Sequence, residues 1–269
     1  MDYSPSIWFS NFSKNIGAPY RLFTFPFAGG GSAIYRQWPA RLPGVEVMAV
    51  CLPGREMRIE EAPFDSMAAL MQKLLQEIAP LLDRPFAFFG HSMGALMAFE
   101  LARQLAKMNL PQPEQLFLSA FQAPENLAER HILHKLSDAD FLRQLIRYGG
   151  IPAAVLDAPE LLKMILPAMR ADFSMIETFG FNAGKPIASD IVAFCGSHDH
   201  AALRQDMLGW RDQTSAGFSL SELPGGHFFL KSAESDLLQL IEASLEQRQF
   251  RAVPMPVSCP TSQWRHDGV

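Results

Sequence analysis

Cysteine is scarce in this chain. Three residues, Cys51, Cys195 and Cys259, stand far apart in a sequence of 269. Few, odd in number and widely spaced, they exclude a disulfide framework and imply a reducing, cytoplasmic setting. Long apolar runs are missing too. Stretches such as Pro85 to Phe89 are the most apolar, and none approaches the roughly 18–20 residues of a membrane span. The opening MDYSPSIWFSNFSKN has an acidic second residue and no extended apolar core, so it is not expected to act as a signal peptide. Basic charge is not in excess: the formal net charge is −5 and the pI about 5.8. General attraction to nucleic acid or to an anionic membrane surface is therefore excluded. Internal repeats and low-complexity blocks are also lacking.

What is present is a well-mixed globular composition, 48% hydrophobic and 19% charged. Short apolar, β-prone runs alternate with longer helical patterns. Strands are expected at Arg21–Phe25, Val45–Cys51, Phe86–Phe89, Gln115–Ser119, Ile187–Phe194 and Phe218–Leu223. Helices are expected at Ile34–Arg41, Met67–Leu82, Met93–Met108, Leu203–Gln213 and Ser235–Gln247. Near-continuous apolar strands separated by helices define an α/β fold, a mostly parallel central sheet with helices on both faces. The expected organisation is one domain over residues 1–250 and a loosely ordered tail over 251–269, where three prolines fall among few apolar residues. From about Ala123 to Phe181 the alternation stops and only helical patterns remain, interrupted by YGGIPAAVLDAPE. An insertion of this kind is either a lid or binding wall, or an extra helical layer with no part in access.

Chemistry concentrates at Gly90-His91-Ser92-Met93-Gly94. The pattern Gly-x-Ser-x-Gly follows an apolar strand, FAFF, and precedes an amphipathic helix. There the serine sits on a sharp turn that glycines two residues either side make possible. The turn lifts the hydroxyl above the carboxyl end of the sheet, where open α/β folds bind ligands. Ser92 is thus the candidate nucleophile.

A serine hydroxyl needs a base. Of the seven histidines, His227 follows the last expected strand in LPGGHFFL, where two glycines allow a tight loop. His91 adjoins the serine and reads as packing or lining, His131 and His134 read as solvated, and His266 lies in the tail. The base needs a carboxylate to fix its tautomer. Asp199 follows an expected strand in FCGSHDHAAL. Its rival, Asp190, begins that strand, at the wrong end of the sheet. Asp206 and Asp212 fall within a helix. The order Ser92, Asp199, His227 suits an α/β-hydrolase. His198 and His200 flank the aspartate, but three residues in one loop lack the spacing of a helix-borne metal site, and no metal is expected. Two backbone amides should face the oxyanion: that of Met93, next to the serine, and that of Ala28, in the loop PFAGGG after an early strand. This glycine run fits neither a dinucleotide fingerprint nor a phosphate-binding loop.

The segments FPFAGGGSAIYRQW, LPGRE, FGHSMGALMAFELAR, LPAMRADF and PGGHFFL, in that order and spacing, resemble the type II thioesterases. These are stand-alone α/β-hydrolases that accompany nonribosomal peptide and polyketide synthetases. The resemblance covers roughly Leu22 to Leu230. It implies Ser92 as nucleophile, Asp199 as acid, His227 as base, and Met93 and Ala28 as oxyanion donors. It also implies a lid, a monomer, and the removal of acyl or aminoacyl groups stalled on the phosphopantetheine arm of carrier protein domains. No cofactor is implied, because phosphopantetheine belongs to the substrate. Two rivals share or borrow the fold. One is a serine hydrolase of other specificity: a medium-chain fatty acyl or product-releasing thioesterase, or a generic esterase. The other is an inactive binding scaffold, which the full set of triad residues argues against.

Overall fold

The computed structural model describes residues 6–13, 17–126, 132–147, 149–151 and 153–252. Most of the expected tail, His131 and His266 lie outside the described residues.

Seven strands form one sheet: β1 (Phe9–Asn11), β2 (Tyr20–Phe25), β3 (Val45–Val50), β4 (Phe86–His91), β5 (Gln115–Ser119), β6 (Asp190–Gly196) and β7 (Phe218–Leu223). Their order is β1-β3-β2-β4-β5-β6-β7. All neighbours are parallel except β1, which pairs antiparallel with β3 at the edge. The helices are α1 (Met67–Ile78), α2 (Met93–Lys107), α3 (Asp138–Arg147), α4 (Ala153–Leu156), α5 (Pro159–Glu177), α6 (Arg204–Met207), α7 (Phe229–Ser232) and α8 (Glu234–Ala252). Among the described residues no helix is long and apolar enough to cross a membrane.

The strands are apolar on both faces because both are covered. Phe23, Phe25, Phe86 and Phe88 point into one core beneath α1 and α2. Leu22, Val47, Phe89 and Phe117 point into the other, closed by Tyr35, Trp38 and the apolar stripe of α8. In the first core Phe88 meets Phe25 edge-on at 5.2 Å and Phe23 at 5.8 Å. Such pairs contribute about 0.5–1.5 kcal/mol each beyond the burial of area. Helix α1 buries Met67, Leu70, Met71, Leu74 and Ile78, the stripe expected of a helix laid on a sheet. Helix α2 ends as its sequence dictates. Asn109 takes φ 54°, while the Asn109 and Leu110 amides donate back to Ala106 and Leu105 carbonyls. This is the left-handed cap that asparagine tolerates.

Several elements differ from their expected form. The stretch expected as helix Ile34–Arg41 is two separate 3₁₀ turns, Ser32–Tyr35 and Trp38–Ala40, since Pro39 cannot donate within a continuing helix. Leu203–Gln213 divides into α6 and a 3₁₀ segment, Leu208–Gln213. Strand β6 starts at Asp190 rather than Ile187, which makes only an isolated bridge to Thr214. Strand β1 was not anticipated.

The insertion carries helices and turns but no strand among its described residues, and has a small core of its own: Leu133, Phe141, Leu145, Ile151 and Met169. His134 is not solvated as expected. Its ring Nδ1 bonds the Glu177 carboxylate, which also accepts the Leu133 and His134 amides. The histidine thus ties the start of the insertion to the end of α5.

Candidate active site

Four loops leave the carboxyl edge of the parallel sheet at β2, β4, β6 and β7, and they carry all five candidate site residues. Ser92 follows β4 directly, with φ 53° and ψ −120°. Only close packing holds a serine there, at a cost of about 1–3 kcal/mol. The glycines explain how the turn closes. A Cβ on Gly90 would lie 2.0 Å from the Gly94 carbonyl oxygen, and one on Gly94 would lie 2.2 Å from the Phe25 carbonyl oxygen. Backbone passes where side chains would be. The Ser92 amide donates to the Ser119 carbonyl at 2.8 Å, which fixes the turn to β5.

Ser92 precedes the first residue of α2 but does not cap it with its side chain. Its hydroxyl instead lies 3.1 Å from Nε2 of His227. Nδ1 of His227 lies 2.9 Å from Oδ2 of Asp199. The other carboxylate oxygen, Oδ1, accepts the Ala201 and Ala202 amides at 2.8 and 3.2 Å. Asp199 is buried, its side chain 0% exposed. A carboxylate can only accept, so Nδ1 carries the proton and Nε2 is left to accept from Ser92. The two loops that bear Asp199 and His227 are stitched together by a bond from the His198 amide to the Gly225 carbonyl. Gly225 takes φ 125°, a conformation that only glycine adopts easily.

His91 also has a definite place. Its Nε2 lies 2.8 Å from the His227 carbonyl, and its Nδ1 lies 2.9 Å from the Ser119 hydroxyl. A carbonyl accepts, so Nε2 is the donor and the serine hydroxyl donates to Nδ1. Burial pushes the His91 pKa well below 6.5, and the neighbouring His227 lowers it further. His91 is therefore a neutral strut under the loop of His227. Of packing and lining, the two roles its sequence position suggests, His91 has the packing one; nothing in the local pattern signals its bond to the His227 carbonyl, 136 positions away.

Asp190 is at the opposite end of β6. It accepts the Gly217 amide at 2.7 Å and pairs with Arg248, far from the serine. His198 is exposed, its Nδ1 on the Ser197 hydroxyl, and His200 is exposed. Among the described residues no three metal-binding side chains converge.

A cavity of about 160 Å³ opens beside the serine, with Ala28, Ser92 and His227 at its floor and Leu145, Met169 and Phe173 of the insertion at its wall. Residues of the insertion thus line the cavity beside Ser92. The Ala28 and Met93 amides make no bond to another part of the protein among the described residues. Met93 is the first residue of α2, where the helix carries its partial positive charge.

A serine on a sharp turn after β4, an aspartate after β6 and a histidine after β7, on a mostly parallel seven-stranded sheet, are the arrangement of the α/β-hydrolase fold. Comparison with known proteins makes the class narrower. Residues 20–245 match the family described as thioesterase domain, and the chain belongs to the thioesterase family. It is 37% identical to the gramicidin S biosynthesis protein GrsT of Aneurinibacillus migulanus over 87% of this chain and 92% of that one. It is 36% identical to the medium-chain S-acyl fatty acid synthase thioesterase of Homo sapiens, over 84% and 86%. The type II thioesterase BorB from the borrelidin biosynthetic cluster superposes with TM-score 0.80 at 30% identity, over 90% of this chain and 97% of that one.

Proposed function

We propose that the protein hydrolyses acyl or aminoacyl thioesters on the phosphopantetheine arm of carrier protein domains, in nonribosomal peptide or polyketide biosynthesis. Ser92, Asp199 and His227 act as the triad, with the Met93 and Ala28 amides as oxyanion donors. The observation that carries the reading is the unbroken chain of bonds from Asp199 through His227 to Ser92. It lies beside a small apolar cavity in a chain whose relatives include GrsT and BorB.

His227 Nε2 takes the Ser92 proton as Oγ attacks the thioester carbonyl carbon. Negative charge gathers on the carbonyl oxygen, where the Met93 and Ala28 amides meet it. The C–S bond breaks, the departing thiolate takes the proton from His227, and an acyl-serine remains. Water then loses a proton to His227, attacks the ester carbon, and releases the acid as the proton returns to Ser92. Protein groups fill every role, and the only prosthetic arm is the substrate's own. The cavity is smaller than the roughly 300–1,000 Å³ of sites that hold drug-sized ligands, which favours short acyl groups.

The medium-chain fatty acyl reading has the human relative in its support. One experiment separates the two: compare turnover of acetyl and decanoyl groups, each on a phosphopantetheinylated carrier protein and on coenzyme A, with acetyl nitrophenyl ester alongside. The proposal expects the acetyl carrier protein to be preferred. Preference for decanoyl substrates moves the assignment to the fatty acyl reading, and preference for the free ester moves it to a generic esterase.

A further inference from the structure

The motif Leu52-Pro53-Gly54-Arg55-Glu56 contributes nothing to the triad, yet its two charged residues grip the loop that carries Ala28. Arg55 makes a bidentate pair with Asp172 of α5, Nη1 to Oδ2 at 2.7 Å and Nη2 to Oδ1 at 2.8 Å. Asp172 is fully buried, its side chain 0% exposed, and that of Arg55 is 9% exposed. Neither group spends its remaining capacity at random. Asp172 Oδ2 accepts the Gly29 amide at 2.8 Å, and Arg55 Nη1 donates to the Gly30 carbonyl at 3.1 Å. Glu56 holds the next residues: its carboxylate accepts the Ser32 amide at 2.9 Å, the Ser32 hydroxyl at 2.7 Å and the Ala33 amide at 2.8 Å. Glu56 does this from φ 51°, a backbone conformation unfavourable for glutamate and retained only where the surroundings enforce it. The loop is pressed into this cradle closely. A Cβ on Gly31 would lie 2.4 Å from the Glu56 carboxyl, and one on Gly29, whose φ is 76°, would lie 2.9 Å from the Met169 side chain.

We infer that Arg55 and Asp172, with Glu56 beside them, are positioning residues that fix the direction of the Ala28 amide. They also make the oxyanion site depend on α5, the helix that walls the acyl cavity. A glycine-rich loop has no stiffness of its own. An oxyanion donor works only if its direction is set before the charge develops. A buried ion pair contributes little net stability over an apolar pair of similar size, so stability alone gives no reason to place one under this loop. Here the two charged groups make directional bonds to the peptide groups immediately after Ala28. Asp172 lies on the helix that must be seated for the cavity to exist, so the amide is aimed only when the acyl wall is in place.

The inference rests on Ala28 being an oxyanion donor, and the test separates the two claims. The full chain would be assayed with the acetyl thioester of N-acetylcysteamine, and titrated with propylboronic acid. This acid adds to an active serine and places a tetrahedral anionic oxygen in the oxyanion site. The double substitution Arg55→Met with Asp172→Leu replaces the pair with apolar side chains and leaves the Gly29 and Gly30 peptide groups unheld. The expected result is cooperative unfolding close to that of the parent, a kcat lower by about 100-fold, a KM changed by less than about threefold, and boronate affinity weakened in step with kcat. Arg55→Lys, which keeps a charge for Asp172 but not the fork that also reaches Gly30, is expected to fall between the two. It decides the matter should the double variant not fold. Folded variants with parental kcat and boronate affinity would overturn the brace, as would a loss of activity that merely tracks the unfolded fraction. A parent protein that neither binds the boronate nor cleaves the thioester would overturn the oxyanion reading itself.

Discussion

At the scale of single residues, the site depends on which carboxylate faces His227. Asp199 does so at 2.9 Å, while Asp190 belongs to an ion pair with Arg248 at the far end of the same strand. The two substitutions to asparagine should therefore behave differently. Asp199→Asn keeps the shape but offers His227 a donor where an acceptor is needed, and kcat should fall by about 10⁴-fold. Asp190→Asn should leave kcat unchanged and alter stability by less than about 1 kcal/mol, the value of a partly exposed pair. Steady-state rates with a short thioester, beside thermal melts, would check both. That Ser92, Asp199 and His227 lie together was legible in the sequence, because each falls in a loop directly after a strand, with glycine nearby. Arg55 and Asp172 were not legible as a pair. They are 117 positions apart, and the sole local hint is an acid on the apolar stripe of α5 shared with Ala168, Met169 and Met175. His134 misled for the same reason, since its partner is Glu177, 43 positions on.

At the scale of elements, the elbow at Ser92 has the least room for a side chain among the described glycine turns. Gly94→Ala would set a methyl 2.2 Å from the Phe25 carbonyl oxygen, and β2 or α2 would have to move. The expected outcome is loss of soluble expression or a melt lowered by several degrees, together with loss of activity. Gly44→Ala is the contrasting substitution, because a Cβ there meets nothing within 4 Å. It should be neutral, or stabilising by about 0.4–1 kcal/mol through the unfolded chain. Expression level and midpoint of thermal unfolding read both. The long elements were visible in the sequence because their periodicity is long: α1, α2, α8 and the five interior strands appear close to their expected places. The misses are short. Strand β1 has three residues, too few to show alternation, and it exists only because β3 offers an edge. The turns around Trp38 look helical by composition, since Trp38 and Tyr35 are apolar at nearly helical spacing. They are set instead by packing on Phe89.

At the scale of the whole molecule, one consequence of the architecture is a stability that declines in acid. His91 lies between β4 and the His227 loop, fully buried, and burial holds its pKa well below 6.5. In the unfolded chain the same ring takes up a proton near pH 6.5. Below that pH the unfolded state binds one proton more than the native state, so stability is intact above about pH 6.5 and falls as the pH drops, by up to about 1.4 kcal/mol per pH unit. Denaturant midpoints measured from pH 7.5 to 5 should show this fall. His91→Gln, which keeps a donor for the His227 carbonyl and removes the titration, should flatten it. An identical slope in both proteins would mean that other groups set the acid sensitivity. The sheet also explains why one fold both packs densely and stays reactive. Its two buried faces hold the aromatic cores, and its carboxyl edge gathers the four loops that carry Ala28, Ser92, Asp199 and His227.

In the proposed mechanism Ser92 carries the acyl group between the two halves of the reaction. The most direct test of this role is peptide mapping by mass spectrometry after rapid acid quench of the protein mixed with an acetyl thioester, in parallel for the parent and Ser92→Ala. The expected result is an acetyl adduct on the peptide containing Ser92, and an unmodified, folded Ser92→Ala protein whose turnover is lower by roughly 10⁴- to 10⁶-fold. An adduct on another residue, or normal turnover by Ser92→Ala, would contradict it.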